Sequence, residues 1–226
     1  KATCGAISMS EGPDGLTHHR ILLKEFSMHY VIAGDPGAEP LLLVHGFPKS
    51  WFQWRRMIPL LAPHYRVIAP DLRGSGDSSK PSGGFDKKRM ALDLVELLDR
   101  LEIAGPVHVV GRDWGAPTAW ATALFHPEKV RAVGGLSVPF IPRSPVQPMP
   151  MLRAMFKGQF FYQLYFQEPG VAEAEFEKDL KTGLRKFLVM GGGETDLTTL
   201  TPKSEHDDLL TSLTAPATLP PWLGDA

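Results

Sequence analysis

The chain has 226 residues, 43% hydrophobic and 22% charged, with a formal net charge of −1. This is a globular composition, and a near-zero charge gives no general attraction to nucleic acid or to an anionic membrane. No apolar run approaches the roughly 20 residues of a membrane span, and a single cysteine, Cys4, excludes an internal disulfide framework and a cysteine-rich zinc site.

In chain order, Lys1 comes first and no apolar signal segment follows, which points to a cytoplasmic protein. Residues 9–13 are polar and read as a flexible stretch, with Met9 the expected start of translation and residues 1–8 upstream of it. Residues 21–32 read as two short strands. Residues 41–44, 66–69, 107–110 and 131–136 are apolar runs without alternation, the pattern of parallel strands buried on both faces. Between them Leu94, Leu97, Leu98 and Leu101 form one apolar helical stripe, and residues 51–61 and 116–125 are shorter helix candidates. Strand alternating with helix at this spacing predicts an α/β fold with a mostly parallel sheet. Pro139, Pro142, Pro145, Pro148 and Pro150 then mark a linker or crossing loop. Residues 151–190 are patterned as helix, with Glu177 four residues before Lys181, until Gly191-Gly192-Gly193 breaks the run. The predicted organisation is an α/β core over residues 1–139 and a helical region over 140–226. Its last residues, 219–226, form an apolar turn with no closing element.

Gly111-Arg112-Asp113-Trp114-Gly115 follows a buried strand and opens a helix. Flanking glycines in that context let the chain turn sharply and expose the middle side chain, as in a nucleophile elbow. The bland reading is a turn with Asp113 as helix N-cap. An aspartate, with a pKa of about 3.9, is ionised at neutral pH and needs no general base to attack. Its natural target is an electrophilic saturated carbon, which gives a covalent alkyl ester. His45-Gly46-Phe47-Pro48 follows another buried strand. In elbow hydrolases that loop and the residue after the nucleophile each supply a backbone N–H to the oxyanion hole, here Phe47 and Trp114. His45, with Gly46 and Pro48, is read as positioning the loop rather than as a catalytic base, and Trp51 and Trp54 as core. In the turn-rich stretch 69–78, Asp71 and Arg73 are read as ordering the loop rather than as an ion pair in a site. Its glycines lack the lysine-serine/threonine ending of a phosphate loop.

Together these pieces resemble the α/β-hydrolase superfamily and, within it, the soluble epoxide hydrolases. The matching stretches are His45-Gly46-Phe47-Pro48 with Trp51 and Trp54, the Asp71-Leu72-Arg73-Gly74 loop, residues 111–116, and Tyr162-Gln163-Leu164-Tyr165-Phe166-Gln167-Glu168-Pro169-Gly170. The resemblance implies an α/β-hydrolase core, here ending after its sixth strand, with residues 140–226 as part of a helical cap domain. It implies opening of a small-molecule epoxide to a vicinal diol through an ester on Asp113, with no metal or organic cofactor. Tyr162 would donate to the epoxide oxygen, and Gln163 and Phe166 would line the pocket. Without the resemblance Tyr162 reads as one packed aromatic among several. Haloalkane dehalogenases share the aspartate and tryptophan but carry asparagine where this chain has Phe47, which favours an epoxide over a halide. Arg112 stands where the family has histidine. The water-activating histidine and its acidic partner are expected beyond the cap. None of the eight histidines fits that place, residues 136–139 carry no acid, and a second cap tyrosine is expected beyond Trp222. His206 reads as a solvated polar residue. A dehalogenase using the same aspartate and a non-catalytic ligand-binding protein on this scaffold are the alternatives.

Overall fold

The computed structural model of the chain describes residues 7–11, 16–190, 204–211, 213–215, 218–220 and 223. It divides into two compact units, Lys1–Ile141 and Pro142–Ala226. Gly191, Gly192, Gly193 and Trp222 lie outside the described residues.

The first unit is built on a seven-stranded sheet in the order β1-β2-β3-β5-β4-β6-β7. Its strands are β1 (Ile7–Glu11), β2 (Thr17–Leu22), β3 (Ser27–Ala33), β4 (Glu39–Val44), β5 (Tyr65–Pro70), β6 (Val107–Arg112) and β7 (Val130–Leu136). The strands β5, β4, β6 and β7 run parallel, while β1, β2 and β3 form an antiparallel arm joined to β5. Three of the four apolar runs, those in β4, β5 and β6, become two-sided strands. Leu42, Val44, Ile68 and Val109 point into one cluster, whereas Leu41, Leu43, Val67 and Ala69 point into the other. Alternate residues of β4, β5 and β6 thus feed two cores, whereas β7, the last strand in the order, is less covered than its apolar run predicts, with Arg131, Ala132 and Leu136 exposed.

Helices cover both faces. Asp86 caps α2 (Lys87–Arg100) by accepting from the Arg89 N–H, and the Leu94, Leu97 and Leu98 stripe is fully buried against the sheet. The helix α3 (Gly115–Phe125) follows β6 directly. The opposite face is covered by Trp51, Trp54 and Ile58. Three details differ from the sequence reading. The expected helix over 51–61 is split into a 3-10 turn, Trp51–Trp54, and α1 (Ile58–Leu61). Pro59 has no N–H to continue a helix begun at Trp51, and it sits in the first turn of α1, where none is needed. The strand β1 occupies residues read as flexible, because its pairing with β2 needs only backbone groups, which polar residues supply as well as apolar ones. It also makes the sheet one strand larger than the six expected.

The second unit carries α4 (Pro148–Met155), α5 (Tyr162–Tyr165), α6 (Val171–Glu177) and α7 (Leu180–Met190). The helix α4 begins inside the expected crossing loop: Pro148 and Pro150 fall in its first turn, where missing N–H groups cost nothing. Glu177 ends α6 and Lys181 lies in α7, so they are not neighbours on one helix. Asp179 instead accepts from the Thr182 N–H at the start of α7. The core here is Leu209, Leu210 and Leu213 against a set of aromatic rings, Phe160, Tyr165, Phe166, Phe176 and Phe187. Glu175 is buried and ties this unit together, accepting from the Tyr165 hydroxyl at 2.7 Å and from the Leu209 and Leu210 N–H groups at 3.0 and 2.6 Å. Burial and the Glu175 carboxylate both push the Tyr165 phenol above its ordinary range.

Candidate active site

In the sheet order, β4 has β5 on one side and β6 on the other. The chain leaves β4 toward β5 and later leaves β6 toward β7, so the connections diverge between β4 and β6. A crevice at such a divergence, outside the carboxyl ends of the strands, is where open α/β sheets place ligands. The two loops that open there are His45-Gly46-Phe47-Pro48 after β4 and Asp113-Trp114 after β6.

Asp113 has φ +54°, in the left-handed region that side chains other than glycine rarely occupy. The chain passes from β6 to α3 within two residues, and the Asp113 carbonyl accepts from the Ala116 N–H at 2.9 Å. Glycine is demanded on either side. A Cβ at Gly111 would stand 2.2 Å from the Gly115 carbonyl oxygen, and one at Gly115 would stand 2.3 Å from that of Val44. The loop after β4 closes on the elbow just as tightly, since a Cβ at Gly46 would lie 2.5 Å from Asp113 Cβ and Oδ1. That contact aims the next peptide: the Phe47 N–H donates to Asp113 Oδ1 at 2.9 Å. Trp114 is the N-cap residue of α3, and helix geometry supplies its N–H with no acceptor. Asp113 also stands at the positive end of that helix, which favours negative charge. The N-cap of α3 is Trp114, not Asp113 as the bland reading has it, and among the described residues no side chain caps that helix end.

His45 is buried with both ring nitrogens engaged. Nδ1–H donates to the Gly46 carbonyl at 2.9 Å, and Nε2 accepts from the Leu72 N–H at 2.9 Å. Burial lowers its pKa against the opposing pull of that carbonyl and of Asp71, which keeps the ring neutral. The Phe47–Pro48 peptide is cis. Lys49 closes the turn by donating its N–H to Gly46 O. Its ammonium pKa is lowered by burial, with the charges of Arg112 and Arg55 adding to the effect. The Arg112 charge therefore acts on the loop after β4. Its side chain is exposed, on the same sheet face as His108 and Val110.

Behind the loops lies a polar network that the sequence revealed only in part. Asp71 accepts from the Trp51 N–H at 2.7 Å, the Asp77 N–H at 2.9 Å and His29 Nδ1 at 2.8 Å. Burial opposes its charge, but these three bonds prevail and hold its carboxyl below the ordinary range. His29 Nε2 in turn lies 3.0 Å from His18 Nδ1. Arg73 pairs not with Asp71 but with Asp93, at 2.7 and 2.8 Å, with Glu25, and with the Gly83 carbonyl. A signal for this existed: Asp93 sits inside the apolar stripe of α2, where an acid requires a partner. His29, Asp71 and Asp77 each bring a ligand-type atom within 4.8 Å of the others. Hydrogen bonds already occupy both Asp71 oxygens, so this group is a closed network.

The remaining expected site residues lie in the second unit. Tyr162 opens α5, is 39% exposed, and its hydroxyl accepts from Gln163 Nε2 at 3.0 Å. Phe166 stands edge-on to Tyr162, with ring centres 6.3 Å apart, and packs on the Leu209 and Leu210 core. A cleft of about 410 Å³ in this unit is lined by other residues, among them Phe156, Phe160, Glu205 and Asp207. His206 is exposed beside Glu205. No helix among the described residues is long and apolar enough to cross a membrane.

A family model described as the alpha/beta hydrolase fold matches residues 39–213. The chain is 41% identical over 203 residues to epoxide hydrolase A of Mycobacterium tuberculosis, covering 87% of this chain and 62% of that protein. It is 43% identical over 192 residues to the bifunctional epoxide hydrolase 2 of Sus scrofa, covering 83% of this chain and 34% of that protein. Among solved structures, epoxide hydrolase A from Mycobacterium thermoresistibile superposes with a TM-score of 0.84 at 37% identity, covering 92% of this chain and 66% of that one. The chain thus spans less than two thirds of the length of these relatives. A match of this extent, on a sheet with this strand order and this strand-to-helix elbow, means that the chain belongs to the α/β-hydrolase fold family.

Proposed function

We propose that the chain carries the nucleophile half of an epoxide hydrolase, with Asp113 as the attacking carboxylate. The observation that carries the reading is the Asp113 carboxylate, raised on a left-handed elbow with the Phe47 N–H bound to one oxygen only. The relatives named epoxide hydrolase support the substrate class.

The chemistry follows from that asymmetry. Asp113 Oδ2, which accepts no hydrogen bond among the described residues, attacks an epoxide carbon from the side opposite the ring oxygen. A C–O bond forms, the ring C–O bond breaks, and its electron pair stays on oxygen. As the resemblance implies, the Tyr162 phenol O–H would give that alkoxide its proton. Oδ1 becomes the ester carbonyl oxygen. When water attacks the ester, Oδ1 takes the negative charge, already within reach of the Phe47 N–H and next to that of Trp114. Such donors are typically worth about 100- to 1,000-fold in rate each. Collapse breaks the C–O bond between the ester carbonyl carbon and the substrate oxygen. Of the two water protons one goes to that oxygen and the other back to the Tyr162 phenolate, which releases the vicinal diol and restores the carboxylate. Gln163 and Phe166 contribute to the pocket, residues 140–226 act as the helical cap, and His45, Gly46 and Pro48 set the loop. None of the eight histidines of this sequence takes the place of the water-activating histidine that the resemblance implies, so the ester should accumulate here. The test is intact mass after incubation with excess styrene oxide. One added epoxide mass is expected, and it should be lost in Asp113→Asn. Equal labelling of both proteins would refute the reading.

A further inference from the structure

We propose that Lys87 is a positioning residue of the elbow, its ammonium group fixing the Trp114 carbonyl and indole ring beside Asp113 before substrate arrives. The inference rests on reading Asp113 as the nucleophile. Lys87 is the first residue of α2, and its Nζ reaches across to the start of α3. It donates to the Trp114 carbonyl at 3.3 Å and to Thr118 Oγ1 at 3.2 Å, and lies 3.7 Å from Met90 Sδ. It also stands 4.8 Å from the centre of the Trp114 ring. The Thr118 hydroxyl donates to the same carbonyl at 3.1 Å, so lysine and threonine clamp one peptide oxygen together.

This is a costly place for a lysine. Its charge is half-buried and stands at the N-terminus of its own helix, where a cation opposes the helix dipole. Burial brings its pKa down to about 8, and the Asp113 carboxylate pulls the other way. The other charged groups nearby are accounted for. The helix α3 carries no titratable side chain, Arg112 is exposed, Asp86 caps the Arg89 N–H, and Lys88 lies 5.9 Å from the Phe125 ring. Asp113 is therefore the carboxylate that acts on Lys87, and the lysine charge is held over the residue whose N–H completes the oxyanion hole. A cation on the face of a tryptophan orients the ring as well as its peptide.

The rate of covalent labelling by styrene oxide, read by intact mass between pH 6.5 and 9.5, tests this. In the wild type the rate should fall as pH rises through about 8, when the ammonium loses its proton. Lys87→Met should be about tenfold slower at pH 7 and flat across that fall, since small misplacements of a site cost rate steeply. Lys87→Arg keeps the charge and should restore most of the rate without the fall near pH 8. A wild-type rate in Lys87→Met, a fall near pH 8 that persists in it, or an arginine variant as slow as the methionine one would overturn the proposal. A second readout is independent of the reaction with epoxide. Trace acetylation of Lys87 by acetic anhydride should titrate with a midpoint near 8, and the midpoint should move lower in Asp113→Asn. A midpoint above 10, or one indifferent to Asp113, would overturn the coupling. Absence of any wild-type labelling by epoxide would sink the nucleophile reading, whereas labelling indifferent to Lys87 would sink this inference alone.

Discussion

Asp71 and Asp113 each stand one residue past a parallel strand, β5 and β6, at the same edge of the sheet. Asp71 is buried, and its two oxygens accept three hydrogen bonds. Asp113 is half-buried, and the Phe47 N–H binds one oxygen. The same side chain thus serves two ends. A carboxylate whose lone pairs are spent on the fold has nothing left for a substrate. One that the fold leaves half-satisfied is available to react.

Substitutions can break that contrast. The largest expected effect is on chemistry: Asp113→Asn should lower covalent labelling at least ~100-fold, the scale of losing a group essential to the reaction. Its melting temperature should stay close to wild type, because that carboxylate carries little of the fold. Asp71→Asn should do the reverse. An amide can accept on one side only, so it leaves a buried donor unmatched and disturbs the His29 contact, at a cost of about 3 kcal/mol in denaturant unfolding. The pH dependence sharpens the point. The Asp71 pKa is lower in the folded chain than in the unfolded one, so its stabilisation is complete above the ordinary carboxylate pKa. It is lost as pH falls through the lowered folded value. The stability gap between wild type and Asp71→Asn should therefore be full at pH 7 and shrink below about pH 4. A gap independent of pH would mean that the ionised form is not what the fold uses.

A smaller effect is expected in the second unit, where Glu175 plays the part that Asp71 plays in the first. Glu175→Gln loses one acceptor site among the Tyr165 hydroxyl and the Leu209 and Leu210 N–H groups. The cost should be about 1–3 kcal/mol, the price of one unmatched buried group. Measured as unfolding free energy, a neutral outcome would show that water reaches this site.

What the sequence made legible was local. Uninterrupted apolar runs identified the parallel strands, and paired glycines around Asp113 identified the turn, because each needs only adjacent residues. The arm strand β1 was hidden because backbone pairing leaves no hydrophobic signature. Pro59 and Pro150 show a related difficulty: a proline stops a helix or starts one depending on a single position. The polar network was the least legible part. His29 and Asp71 lie 42 residues apart, and Lys87 and Thr118 lie 31 apart. Only the sheet order brings such pairs together. Asp71 and Arg73 were legible as loop-ordering residues but their partners were not: Asp71 is drawn to His29, and Arg73 to Asp93 and Glu25.

The most direct test of the central claim is peptide mapping of the styrene oxide adduct. Cleavage after Arg112 and Lys129 isolates the segment that begins with Asp113. The account predicts that this peptide alone gains one epoxide mass, as an ester on Asp113 that mild base removes. A label that survives base, or that maps to any other residue, would contradict it.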